Sequence, residues 1–89
     1  MHAVLTTVTV QDPAAAVEYL KEQVVPNVSQ APGFVAGYWV RDGEAGRGTI
    51  VFDSEDAARA VSDQISERIA GNPGVTLDSV NVGEVVASA

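Results

Sequence analysis

The sequence predicts an α+β fold: a four-stranded antiparallel sheet with two helices on one face, in the order β-α-β-β-α-β. Three observations carry this. Four runs rich in β-branched and aromatic residues alternate with two stretches of helical periodicity. Capping and chain-breaking residues stand at the junctions between them. Hydrophobic residues make up 46% of the 89 and charged ones 19%, which places the chain among those that collapse around a core. That length predicts a single domain spanning residues 1–89.

The first strand is Ala3 to Val10, AVLTTVTV. Asp12 can then cap a helix with its carboxylate, and Pro13 suits the first helical position, where no amide donor is required. Val17, Leu20, Val24 and Val28 recur at three- and four-residue steps as one apolar stripe, with Glu18, Lys21 and Glu22 lying away from it. Pro26 lacks an amide hydrogen and is predicted to kink this helix or close it early. Ala31-Pro32-Gly33 breaks the chain before a second strand, Phe34 to Arg41. A loop from Asp42 to Gly46 leads through Arg47 and Gly48 into a third strand, Thr49 to Phe52, which makes a hairpin. Gly43, Gly46 and Gly48 read as its flexible tip, since they match neither phosphate-binding glycine pattern.

Asp53 or Ser54 caps the second helix, whose first turn holds Glu55 and Asp56 where the helix dipole favours negative charge. Its stripe is Ala57, Val61, Ile65 and Ile69, and Gly71-Asn72-Pro73-Gly74 stops it. A last strand, Val75 to Ala87, completes a ferredoxin-like order, and right-handed crossovers put both helices on the same side of the sheet.

The other side is then bare, yet apolar residues fall on both faces of every strand. Strand one divides Val4, Val8 and Val10 from Ala3 and Leu5; strand two divides Phe34, Ala36, Tyr38 and Val40 from Val35 and Trp39. Strand three sets Ile50 and Phe52 against Val51, and strand four sets Val80, Val82 and Val86 against Leu77 and Val85. A second copy of the same face is the predicted cover, giving a two-fold homodimer. Hiding ~500 Å² of apolar surface per subunit at ~25 cal/mol per Å² would contribute on the order of 12 kcal/mol gross, as much as a small domain's whole stability.

Composition excludes several chemistries. No cysteine is present, so disulfides, thiolate metal sites and cysteine nucleophiles are ruled out. His2 is the single histidine, so neither a two-histidine metal site nor a catalytic triad can be assembled, and no metal is expected. A net charge of -7 repels phosphate backbones and acidic membranes, so no nucleic acid or membrane partner is expected. Met1 to Val10 has no basic flank and no long apolar run, which predicts a soluble, cytoplasmic protein. RNA-recognition modules share the element order, but they stack bases on aromatics of strands one and three, and strand one here has none.

The Ala31-Pro32-Gly33-Phe34-Val35-Ala36-Gly37 turn, the preceding Val25-Pro26, the Asp42-Gly43 hairpin and the run Phe52-Asp53-Ser54-Glu55-Asp56-Ala57 resemble the dimeric α/β-barrel superfamily. Within it the chain is similar to the antibiotic-biosynthesis-monooxygenase-like proteins, over nearly its whole length. The resemblance implies homodimers whose sheets join into a barrel, with a pocket in each subunit between sheet and helices. Some members oxidise polycyclic aromatic substrates with oxygen and no cofactor, and some degrade haem. Haem-degrading members need an asparagine in strand one and a helical histidine, where this chain offers Thr6 and Thr7 and no helical histidine. Family members commonly carry tryptophan at the end of strand three, where Phe52 stands here.

The cofactor-free oxygenases use asparagine, tryptophan and arginine around the substrate, which implies Asn81, Trp39 and Arg41 in this chain. The aromatics Tyr38, Phe52 and Tyr19 complete the candidate substrate-binding set. The leading expectation is a homodimer that binds a small apolar or aromatic molecule and acts as a cofactor-independent monooxygenase. The alternative is a noncatalytic ligand-binding or regulatory homodimer. No cofactor is expected under either reading.

Overall fold

The computed structural model describes residues 1–69 and 74–89, with Ile69 described by its backbone alone. Four strands form one sheet: β1 (His2–Val10), β2 (Phe34–Asp42), β3 (Ala45–Phe52) and β4 (Val75–Glu84). Their order across the sheet is β2-β3-β1-β4, and every neighbouring pair is antiparallel. The predicted order of elements and the antiparallel sheet are therefore both present.

The first helical region comes in three pieces. Helix α1 (Pro13–Tyr19) starts where Asp12 accepts a hydrogen bond from the Ala15 amide at 3.2 Å. A π-helical turn, Leu20–Val24, follows, and α2 (Val25–Ser29) completes the rod. Pro26 was expected to kink or close the helix. Instead the turn before it widens, with the Val25 amide reaching back five residues to the Leu20 carbonyl, and helix resumes with Pro26 in its first turn. The widened turn shifts the predicted stripe: Val24 and Val28 pack on the core, while Val17 is left exposed. Helix α3 (Glu55–Ile69) is capped by Ser54, whose hydroxyl accepts from the Ala57 amide at 3.2 Å. The predicted stop at Gly71-Asn72-Pro73 lies outside the described residues.

The helices cover one sheet face, and the core sits between. Val4, Ile50 and Phe52 are fully buried there beneath Ala58, Val61 and Ile65 of α3 and Val28 of α2. Phe34 packs edge-on against Phe52, with ring centroids 6.1 Å apart.

Two irregularities in register correct the face assignments for β2 and β4. In β2 the pairing slips between Phe34 and Ala36, so Phe34 shares the helix-side face with Trp39 instead of Tyr38. In β4 it slips opposite Thr7 and Val8, leaving Asp78 as the extra residue. Leu77 therefore faces the same way as Val80 and Val82. A bulge inverts period-2 alternation, so one face takes apolar residues that strict alternation would divide. The open face of β4 is consequently polar: Thr76, Ser79 and Asn81. The bare face keeps an apolar area on the other strands, where Leu5, Tyr38 and Val40 are exposed.

The hairpin is also tighter than predicted. Asp42 pairs with Ala45, leaving a two-residue turn in which Gly43 adopts φ 60°, the left-handed conformation that a II′ turn requires at its first position. Gly46 and Gly48 belong to β3, not to a flexible tip. Strand β4 ends at Glu84, three residues short of the expected Ala87.

Candidate functional site

The main cavity, about 230 Å³ and the more enclosed, lies between the sheet and the helices, whereas a larger but shallower hollow of about 510 Å³ lies outside, along Pro13, Val17, Lys21 and Arg41. The sheet contributes Thr6, Trp39 and Ile50; α3 contributes Val61, Gln64, Ile65 and Arg68. The helical rod contributes Tyr19, Gln23, Val24, Asn27 and Val28.

Its floor follows from glycine placement. Trp39 pairs with Gly48, and Gly48 pairs with Thr6, so these three residues form one row across the sheet. A Cβ at Gly48 would lie 2.5 Å from Thr6 Oγ1 and 3.1–3.2 Å from the pyrrole edge of the Trp39 indole. A Cβ at Gly37 would lie 2.9–3.0 Å from the other end of the indole. The indole thus lies along a sheet surface left smooth by two glycines.

Polar groups stand around this floor. Thr6 is a buried polar side chain, and Asn27 donates from its amide to the Gln23 carbonyl. Arg68 occupies the last turn of α3, where the negative end of the helix dipole favours a cation, and it forms no ion pair among the described residues. Among the described residues no carboxylate or histidine lines this cavity.

The predicted site residues separate into four places. Tyr19 and Trp39 line the main cavity together. Phe52 is fully buried in the core and does not line the cavity. Tyr38 and Asn81 project from the opposite sheet face, because they pair with Thr49 and Leu5 respectively. Arg41 shares the Trp39 side of β2 but lies at the hairpin end, where its guanidinium donates to the Gly43 carbonyl at 3.1 Å. In place of Asn81 and Arg41, the asparagine and arginine at the cavity are Asn27 and Arg68. Helical spacing carries a signal for both: Arg68 is seven residues from Val61, and Asn27 is three from Val24.

His2 lies apart from this cavity. Its Nε2 is 3.4 Å from Glu55 Oε2, and Glu55 also accepts a hydrogen bond from Arg59 at 2.9 Å. That hydrogen bond, the Arg59 charge and the His2 charge together hold the Glu55 carboxyl below its ordinary value. Among the described residues no group of three or more acidic or histidine side chains could hold a metal ion, and no helix is long and apolar enough to cross a membrane.

No protein-family model matches the chain, and neither does any curated protein sequence. Solved structures do match. SnoaB, a cofactor-independent oxygenase from Streptomyces nogalater, superposes with a TM-score of 0.73 at 17% identity, over 98% of this chain and 94% of that one. The chain has the antibiotic biosynthesis monooxygenase fold. MhuD of Mycobacterium tuberculosis, a haem degrader solved with manganese protoporphyrin IX, matches with a TM-score of 0.70 at 18% identity, over 100% and 98% of the two chains. MupZ from Pseudomonas fluorescens matches with a TM-score of 0.71 at 12% identity over 91% of this chain, which spans 65% of MupZ. At these identities the likeness establishes the fold, and activity must be argued from the cavity. Among the described lining residues, Tyr19 is the single side chain of a type that ligates haem iron, since histidine, cysteine and methionine do not line the cavity.

Proposed function

We propose that this chain works as a homodimer that binds a small planar phenol in the main cavity and oxidises it with dioxygen, without a cofactor. The observation that carries this reading is the Trp39 indole on its glycine floor, inside a largely apolar cavity of about 230 Å³ with Arg68 at its edge. An aromatic ring stacks on such a surface in an offset arrangement, and the guanidinium favours the phenolate over the phenol. Enclosure removes water from around the bound anion and strengthens that attraction. The ligand supplies the electrons: a ring C–H and the phenolic O–H are lost, one atom of dioxygen becomes a new ring carbonyl, and the other leaves as water with the two hydrogens. Phenol plus dioxygen thus gives quinone plus water.

The exposed Leu5, Tyr38 and Val40 support a second copy as the cover for the open face. The lack of a carboxylate or histidine among the described residues of the cavity favours a second reading, a noncatalytic ligand-binding or regulatory homodimer, because the side chains that most often act as general bases do not line it.

An oxygen electrode with 1-naphthol and larger phenols separates the two. Uptake of one dioxygen per quinone formed, reduced at least tenfold in Arg68→Gln, supports the oxidase. Quenching of Trp39 emission with no oxygen consumed establishes the noncatalytic reading. Neither quenching nor uptake with any phenol rejects both.

A further inference from the structure

A second cavity of about 130 Å³ lies beyond the first, between the hairpin end of the sheet and the start of the helical rod. Val8, Val10, Ala16, Leu20 and Val75 make its inner wall apolar, while the exposed Val17 and Val40 with Arg41 and Arg47 form its side open to solvent. Trp39 is the one described residue that lines both cavities. Along β1 the boundary falls between Thr6, in the first cavity, and Val8, in the second. On the helical rod it falls between Tyr19 and Leu20, where the π-helical turn begins. The indole thus borders both compartments, lying against the sheet over Gly37 and Gly48.

From this arrangement we infer that Trp39 determines ligand length: its indole is the partition that confines a ligand to the first compartment, and its removal joins the two into one elongated pocket. The inference rests on the ligand-binding reading of the main cavity, but the partition itself is a property of the apoprotein. At about 30 Å³ for a water-sized group, the second compartment holds roughly four methylenes. Each methylene that enters a dry apolar space raises affinity about fourfold.

The test uses wild type, Trp39→Ala and Leu20→Phe, the last filling the second compartment without touching the first. Crystals under xenon pressure report the compartments directly, since xenon enters dry apolar cavities whatever the natural ligand. Wild type should show xenon on both sides of the indole, Trp39→Ala one continuous file, and Leu20→Phe the first site alone. Titration with 4-alkylphenols of increasing chain length reports the consequence. Wild-type affinity should stop rising once the first compartment is full, whereas Trp39→Ala should continue to gain about fourfold per methylene for roughly four more. Leu20→Phe should keep the wild-type limit, which decides the matter should Trp39→Ala fail to fold. A wild-type series that rises without a break, a limit in Leu20→Phe shorter than in wild type, or no xenon in the second compartment would overturn the partition. Xenon in both compartments with no alkylphenol bound would uphold the partition and reject the phenol reading alone.

Discussion

Adding one methyl group at Gly48 tests the floor of the cavity. Gly48 does not have a positive φ, so alanine meets no backbone strain there and the effect is steric. The new carbon would stand 2.5 Å from Thr6 Oγ1, against an ordinary C···O approach of about 3.3 Å, so Thr6 must retreat by about 0.8 Å. The indole, at 3.1 Å from the same point, must rise by about 0.4 Å to reach a normal carbon contact. Overpacking of this kind costs about 1–3 kcal/mol. Loss of glycine's freedom in the unfolded chain offsets about 0.4–1 kcal/mol of it. The net is about 0–2.6 kcal/mol, and its midpoint of about 1.3 kcal/mol lowers the melting temperature by roughly 5–10 °C in a domain of this size. Trp39 is the sole tryptophan, so its emission reports the displacement without labelling. Thr6→Ala in the same background should recover part of the loss, because it removes the nearer of the two clashing groups. A Gly48→Ala protein with wild-type melting temperature and unaltered emission would show that the indole does not rest on Gly48.

Phe52→Ala deletes a fully buried ring and the edge of the Phe34 pair, and a loss of about 3–5 kcal/mol should abolish or broaden the cooperative thermal transition. Glu55→Gln tests the ion cluster at the start of α3. The folded-state carboxyl is held low by Arg59 and then His2, so its contribution is present above the ordinary carboxylate range and is lost as pH falls through the folded value. Glu55 is exposed, so the effect is small: melting scans from neutral to acidic pH should converge for mutant and wild type at the acid end and diverge slightly at neutrality. Leu5→Lys places a charge in the exposed apolar part of the open face, and sedimentation should then shift toward the 9.2 kDa monomer. An unchanged mass distribution would argue against the open face as a surface on which two copies meet.

Local chemistry made much of the element order legible. Asp12-Pro13 starts α1 and Ser54 starts α3 because a side-chain oxygen can satisfy an amide within its own turn, whatever the rest of the chain does. The division of β1 and β3 into two faces was legible for the same reason, since an uninterrupted strand alternates with period two. Pro26 was visible as a disruption, but its resolution into a π-helical turn depends on how the rod packs over Val24 and Val28. Tyr19 and Trp39 could be picked out as site aromatics, but the same reasoning assigned Arg41 and Asn81 to places they do not share with Trp39 in the main cavity.

The sequence by itself determined where the helical rod, α3, β2 and β4 begin, the order of the elements, and a chain without cysteine and with one histidine, because those are matters of composition and of contacts a few residues apart. Only the tertiary structure decided the slips at Phe34 to Ala36 and at Asp78, and with them which side of the sheet carries Leu77, Asn81 and Tyr38. The physical reason is that one inserted residue inverts every later position of a strand, and whether it is inserted depends on pairing with a distant neighbour. The same holds for the cavity: Thr6, Asn27, Trp39 and Arg68 come from four separate elements, so their meeting is set by packing and not by any spacing along the chain.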